Sequence, residues 1–364
     1  MLQKSMVAGV KSSTNKINTL NSLLKQYPNS NLVPDVNMEI ALTYIADEKF
    51  LSAVPYLNSV INDAQAGGLK PRAYLKFGLV YYNPDKYEDA LASYQALIQK
   101  YPQSSEADEA TGVMKNIYLE TGRPNEYVEM MRRNGKSISV NEADSLTYTA
   151  AALKYNANDC NAAIDGFKNY LSRYPNGEYV LEANYFSSEC YRANKDWTNA
   201  LAGYAFVNGR GLNRFFEKAS LEAARITYFE LKDYAAAKKY FESLANGAIN
   251  QDNQLEALRG LVRCLYQLKD YAQANDAAKN LLTKKGLSTD DRSVAFLVLG
   301  KSQQVNNDCT SAIGSFKSCA SINKVAWGAE ARYEIANCQF NLNNLAGAEK
   351  SALAVIKETG SYDN

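Results

Sequence analysis

Histidine is absent from all 364 residues. That absence removes Ser-His-Asp and Cys-His catalysis, His-ligated zinc or haem, and a histidine pH switch. Missing too is any run near the ~20 apolar residues of a membrane-spanning helix. Neither sign of charge is in excess, since 40 basic residues against 39 acidic leave a net charge of +1. No global field therefore favours nucleic acid or an anionic membrane. A P-loop is lacking, and Gly209-Arg210-Gly211 follows a helical pattern rather than a strand. Arg132-Arg133 is too short for a nucleic-acid stripe and suits a solvated helix end. Residues 1–10 hold one lysine and no continuous apolar stretch, unlike a signal peptide. They read as the middle of a helix, and residues 360–364 lack a polar closing helix, so the sequence is expected to be part of a longer protein.

What is present is a recurring pair. Ala90 is followed four residues later by Tyr94, and the same step gives Ala163/Phe167, Ala200/Tyr204, Ala237/Phe241 and Ala312/Phe316. Weaker copies sit at Ala53/Leu57, Ala274/Ala278 and Ala348/Ala352, and a degenerate one is centred on Tyr127. Neighbouring markers lie 36 to 38 residues apart. Around each marker, apolar positions at helical spacing predict two helices, for example 71–83 with 86–100 and 142–156 with 159–173. The degenerate copy predicts 105–121 with 124–133, and a later one 215–231 with 233–245. Tyr27-Pro28, Tyr101-Pro102 and Tyr174-Pro175 end second helices, because proline cannot continue them. Without any useful β-type alternation, the fold class is all-α.

Set the marker alanine at position 20 of a unit. Tyr44, Tyr81, Tyr118, Tyr191 and Tyr228 then fall at position 11, aromatics at 24, and Pro102 and Pro175 at 32. This resembles the tetratricopeptide repeat pattern of Tyr, Ala, Phe and Pro at fixed offsets, with a period near 37 in place of the family's 34. The resemblance covers the chain from about residue 14 onward and implies a right-handed α-solenoid of antiparallel helix pairs, about nine repeats in one array. The Tyr-Pro stops are also similar to those of bacterial cell-envelope members of the family.

In this register Cys160 and Cys309 share position 17, while Cys190 and Cys338 share position 10 of the next unit. Helices expected to run side by side bring each pair to one end of the layer, which fits two disulfides, Cys160–Cys190 and Cys309–Cys338. Each would close a loop of about 30 residues and contribute roughly 3–4 kcal/mol in the chain-entropy model. Unbonded core thiols fit the spacing as well, and Cys264, at position 10 opposite Tyr234, supports that alternative. Bonded pairs would imply an oxidising compartment such as the periplasm.

The resemblance further implies that first helices line a concave groove through positions 2, 5, 9 and 12. Those positions hold Tyr82, Tyr148, Tyr155, Glu182, Tyr185, Glu189, Arg192, Glu222, Phe229, Glu256, Arg259, Arg263, Tyr266, Lys301, Gln304, Tyr333, Asn337 and Phe340. Such a mixed aromatic and charged lining suits an extended peptide or a partner helix. The Lys/Asn pair with which some members cage a C-terminal carboxylate is missing. The expected function is a non-catalytic protein-binding scaffold without cofactor or metal, in the cell envelope. The alternatives are a cytoplasmic adaptor and an α-helical glycan-binding protein.

Overall fold

A computed structural model describes residues 12–323 and 326–359. The expectations for residues 1–10 and 360–364 lie outside the described residues. Nineteen α-helices and one π turn, and no strand, occur among the described residues. The chain divides into two compact units between Tyr179 and Val180.

In the first unit, α1 (Ser13–Gln26) is followed by four pairs. These are α2 (Val33–Ala46) with α3 (Phe50–Asn62), α4 (Leu69–Tyr82) with α5 (Tyr87–Lys100), α6 (Ser105–Glu120) with α7 (Pro124–Arg133), and α8 (Val140–Asn156) with α9 (Cys160–Arg173). The second unit holds five pairs. They begin with α10 (Val180–Ala193) and α11 (Trp197–Gly209), then α12 (Phe216–Arg225) with a π turn (Ile226–Glu230) and α13 (Tyr234–Gly247). Next come α14 (Gln251–Gln267) with α15 (Tyr271–Leu282), α16 (Thr289–Val305) with α17 (Cys309–Ile322), and α18 (Trp327–Asn341) with α19 (Leu345–Thr359).

The turn inside each pair has one recipe. A single residue in the left-handed region ends the first helix: Glu48, Asp85, Gly122 and Asn158 in the first unit, and Lys195, Lys232, Lys269, Asn307 and Asn343 in the second. One residue on, the backbone N–H reaches back five residues, as from Lys86 to the Tyr81 carbonyl at 2.9 Å and from Asp196 to the Tyr191 carbonyl at 2.8 Å. This closes the orphan carbonyls of the helix end in a Schellman-type arrangement. The same residue also caps the second helix: the Asp159, Asp196, Asp233 and Asp308 carboxylates each accept a backbone N–H three residues ahead.

Packing explains the alanine marker. Ala53, Ala90, Ala163, Ala200, Ala237, Ala274 and Ala312 are all fully buried. Opposite them the first helix must also be small. A Cβ on Gly78 would run into the Tyr94 ring, and one on Gly300 into the Phe316 ring. The aromatic at position 24 thus fills the space left by two small residues, burying roughly 150–250 Å².

The pair expected at 215–231 departs from an unbroken α-helix. There the Thr227 hydroxyl donates to the carbonyls of Ala223 (2.7 Å) and Ala224 (3.0 Å), and the chain takes a π turn over Ile226–Glu230. The Asp233 N–H accordingly reaches back six residues, to the Thr227 carbonyl at 2.8 Å, where the other pairs reach five. One extra residue is absorbed in the helix.

Candidate functional site

In the second unit the charged residues of the first helices pair with one another, helix to helix. Arg192 on α10 lies 3.5 Å from Glu222 on α12. Arg225 on α12 holds Glu256 on α14 through two parallel bonds, Nε to Oε1 at 2.8 Å and Nη2 to Oε2 at 2.9 Å. Arg263 on α14 donates to Asp290 (2.8 Å) and Asp291 (2.9 Å) on α16. Lys301 on α16 meets Glu330 (2.8 Å) and Glu334 (3.0 Å) on α18. A ladder of ion pairs therefore joins all five first helices of this unit. Side rungs come from Arg214 to Glu182 and from the Tyr204 hydroxyl to Glu189. Arg259 Nε lies 2.8 Å from Asp291 Oδ2, a charge contact without hydrogen-bond alignment.

Burial and pairing set the ionisation of the ladder. Burial alone would depress the Lys301 ammonium, but Glu330 and Glu334 more than reverse it and raise its pKa. Burial pushes the Glu334 carboxyl up, yet Lys301, Gln304 and Asn337 outweigh that and hold it below the usual value. At Asp291, burial is likewise overcome by hydrogen bonds from Ser288 and by the two arginines. Cation and anion face each other along the ladder, which is therefore largely self-neutralised. Ion pairs of this kind hold a geometry rather than await a ligand.

The expected groove residues separate into three groups. Glu182, Glu189, Arg192, Glu222, Glu256, Arg259, Arg263 and Lys301 belong to the ladder, and Asn337 supports it by donating to Glu334 at 3.2 Å. Tyr185 is buried, its ring stacked on Phe215 at 4.3 Å, which withdraws it from any partner. Tyr266 is half-buried, its hydroxyl donating to Glu330 at 2.6 Å and its ring edge-on to Trp327. Phe229, Phe340 and Tyr333 remain open to solvent, with 66%, 65% and 39% of their surface exposed. In the first unit, Tyr82 donates to Glu120 at 3.4 Å and Tyr148 stacks on Tyr179 at 4.4 Å, while Tyr155 is partly buried.

Sequence reasoning missed Arg225, Asp290, Asp291, Glu330 and Glu334. Arg225 was hidden by the π turn: counted back from Ala237 it falls at position 8, but the extra residue moves it to position 9. There it matches Lys301, whose rung also runs from position 9 to position 2 of the next unit. Glu330 stands at position 2 and was legible by the same rule.

The cysteines differ from expectation in one pair. Cys160 and Cys190 are disulfide-bonded. Cys309 and Cys338 are not: both carry free, buried thiols, as do Cys264 and Cys319. Cys309 and Cys338 lie in one packed cluster with Ala312, Phe316 and Ile335. No group of three metal-ligating side chains occurs among the described residues, and no helix of theirs is long and apolar enough to cross a membrane. In the first unit a cavity of about 310 Å³ lies between the α6–α7 turn and the α8–α9 pair, with Thr121, Lys154 and Asp165 among its walls.

Antiparallel helix pairs in tandem, small residues at the joint and a polar first-helix face define a helical-repeat protein. Residues 72–104 match the family model of the tetratricopeptide repeat, and the helix pairs on either side share the register of that segment. Among solved structures, it is similar to the TPR domain of P58(IPK), at 14% identity and a TM-score of 0.29, over 94% of this chain and 98% of that one. It is also similar to a tetratricopeptide repeat protein from Parabacteroides merdae, at 12% identity and a TM-score of 0.27, over 84% and 99%. No curated protein matches. Tetratricopeptide arrays generally mediate contact between proteins.

Proposed function

We propose that the chain is a non-catalytic scaffold whose first-helix face binds an extended peptide or a partner helix. The observation that carries this reading is the contrast on that face between a self-neutralised ladder and the solvent-exposed rings of Phe229, Tyr333 and Phe340. The ladder fixes the helices, and the rings supply apolar anchors of the kind that dominate interface energy. A partner is then held through its own apolar side chains, with little dependence on salt. An envelope location is part of the proposal, supported by the disulfide-bonded state of Cys160 and Cys190.

The test is affinity capture from the native host with the wild-type chain and with the F229A/Y333A/F340A triple variant, both verified as folded. A reproducible partner weakened at least tenfold by the triple variant supports the reading. No reproducible partner, or one indifferent to the variant, overturns it. The four free thiols favour a second reading, a cytoplasmic adaptor on the same fold; fractionation of host cells decides between the two.

A further inference from the structure

We propose that Cys309 and Cys338 form an oxidative modification site, a dithiol that closes to an internal disulfide and staples α17 to α18. Both side chains belong to one packed cluster with Ala312, Phe316 and Ile335, at the contact between a second helix and the following first helix. The register supplies an independent observation. Position 17 of one unit and position 10 of the next are occupied by cysteine twice in this chain, and the other two, Cys160 and Cys190, are disulfide-bonded. Cys264 and Cys319 lack this placement: Cys264 stands opposite Tyr234, and the Cys319 thiol points to the Trp327 carbonyl at 3.5 Å.

The step is thiol–disulfide exchange with a low-molecular-weight disulfide such as oxidised glutathione. Cys309 is 7% exposed and Cys338 fully buried, so Cys309 reacts first. Its thiolate attacks one glutathione sulfur, the S–S bond of glutathione breaks, and one glutathione thiolate leaves. The Cys338 thiolate then attacks the Cys309 sulfur of the mixed disulfide, and the second glutathione leaves. Two protons pass from the protein thiols to the departing thiolates, and the two electrons end on glutathione. Because burial pushes the Cys338 thiol up to about 12, it is almost entirely protonated at pH 7, and closure is slow there and faster as pH rises. The staple would tie α17 of one pair to α18 of the next, across a nearest-neighbour interface of the array.

The experiment uses the intact purified chain. It is incubated with oxidised glutathione at pH 7 and pH 9, denatured in the presence of an alkylating reagent, and weighed. Before oxidation, Cys264, Cys309, Cys319 and Cys338 take up the label. Afterwards only Cys264 and Cys319 should, non-reduced peptide mapping should show the Cys309–Cys338 link, and closure should be at least tenfold faster at pH 9. Dithiothreitol should restore the label. Retention of label on both cysteines at pH 9, a stable glutathione adduct on Cys309, or a link from Cys338 to Cys319 would each overturn the proposal. In C309A, the Cys338 label should survive oxidation; its loss would equally refute the pairing.

Discussion

Replacing Lys301 with methionine isolates the best-buried rung of the ladder. The Lys301 side chain is 12% exposed, and its partners Glu330 and Glu334 are 15% and 13% exposed, at 2.8 and 3.0 Å. Methionine keeps the aliphatic stem and removes the charge, leaving two nearly buried carboxylates facing each other. Breaking a buried pair in this way costs about 3–5 kcal/mol. Here the lower end applies, because Tyr266 still donates to Glu330, and Gln304 and Asn337 to Glu334. We therefore expect a loss of about 3 kcal/mol at pH 7.

The pH dependence distinguishes this cause from a mere packing defect. In the wild type the folded-state pKa of Glu334 lies below its ordinary 4.5, so its contribution is complete above that value and is lost as pH falls through the folded pKa. In K301M the depressing cation is gone, burial dominates, and the carboxyl pKa rises. The variant's deficit should then be largest at neutral pH and shrink below about pH 5, as protonation relieves the buried charges. Urea unfolding of both proteins between pH 4.5 and 8 measures this. A deficit below about 1 kcal/mol, or one independent of pH, would show that the rung is solvent-screened and refute the reasoning. E334Q added to K301M should recover part of the loss.

Three further outcomes follow from the geometry. Ala90→Leu pushes a side chain into a fully buried joint and should cost about 1–3 kcal/mol; an unchanged melting temperature would refute the packing register. Lys269→Gly removes a side chain from a left-handed position (φ 56°) and should stabilise by about 0.5 kcal/mol net of the added chain entropy, read as a small rise in melting temperature. Asp291→Asn leaves Arg259 and Arg263 without their shared buried anion, for an expected loss of about 2 kcal/mol at pH 7. Since the Asp291 pKa is held below 3.8, the difference from wild type should persist down to about that pH and vanish below it.

Helix pairing was legible because it rests on local chemistry repeated many times. The Ala90/Tyr94 step and the Tyr-Pro stops place the helices from 105 to 133 to within one residue of α6 and α7. The turn residue was less visible. Glycine is the usual left-handed residue, yet lysine, glutamate, aspartate or asparagine fills that place in every pair but the one with Gly122. Side-chain fate at the candidate site depended on two things the sequence does not display. Tyr185 fits the groove pattern, but Phe215, thirty residues away, covers its ring. Arg225 was displaced from the counting frame by hydrogen bonds of Thr227 that no periodicity reports.

That displacement has an energetic meaning. Without the extra residue of the π turn, Arg225 would sit one position, about 100°, round the helix and could not hold Glu256 with two parallel bonds. The turn gives up regular α-helical bonding near Thr227 and gains a bidentate rung between α12 and α14. Because array stability sums intrinsic and nearest-neighbour terms, each rung should protect its own interface and little else. Native-state hydrogen exchange can read this directly. Arg225→Leu should lower protection in α12 and α14 while leaving α18 at the wild-type level, and Lys301→Met should do the reverse. Equal loss across all five first helices would mean that the second unit opens as a single cooperative block and that the ladder has no separable rungs.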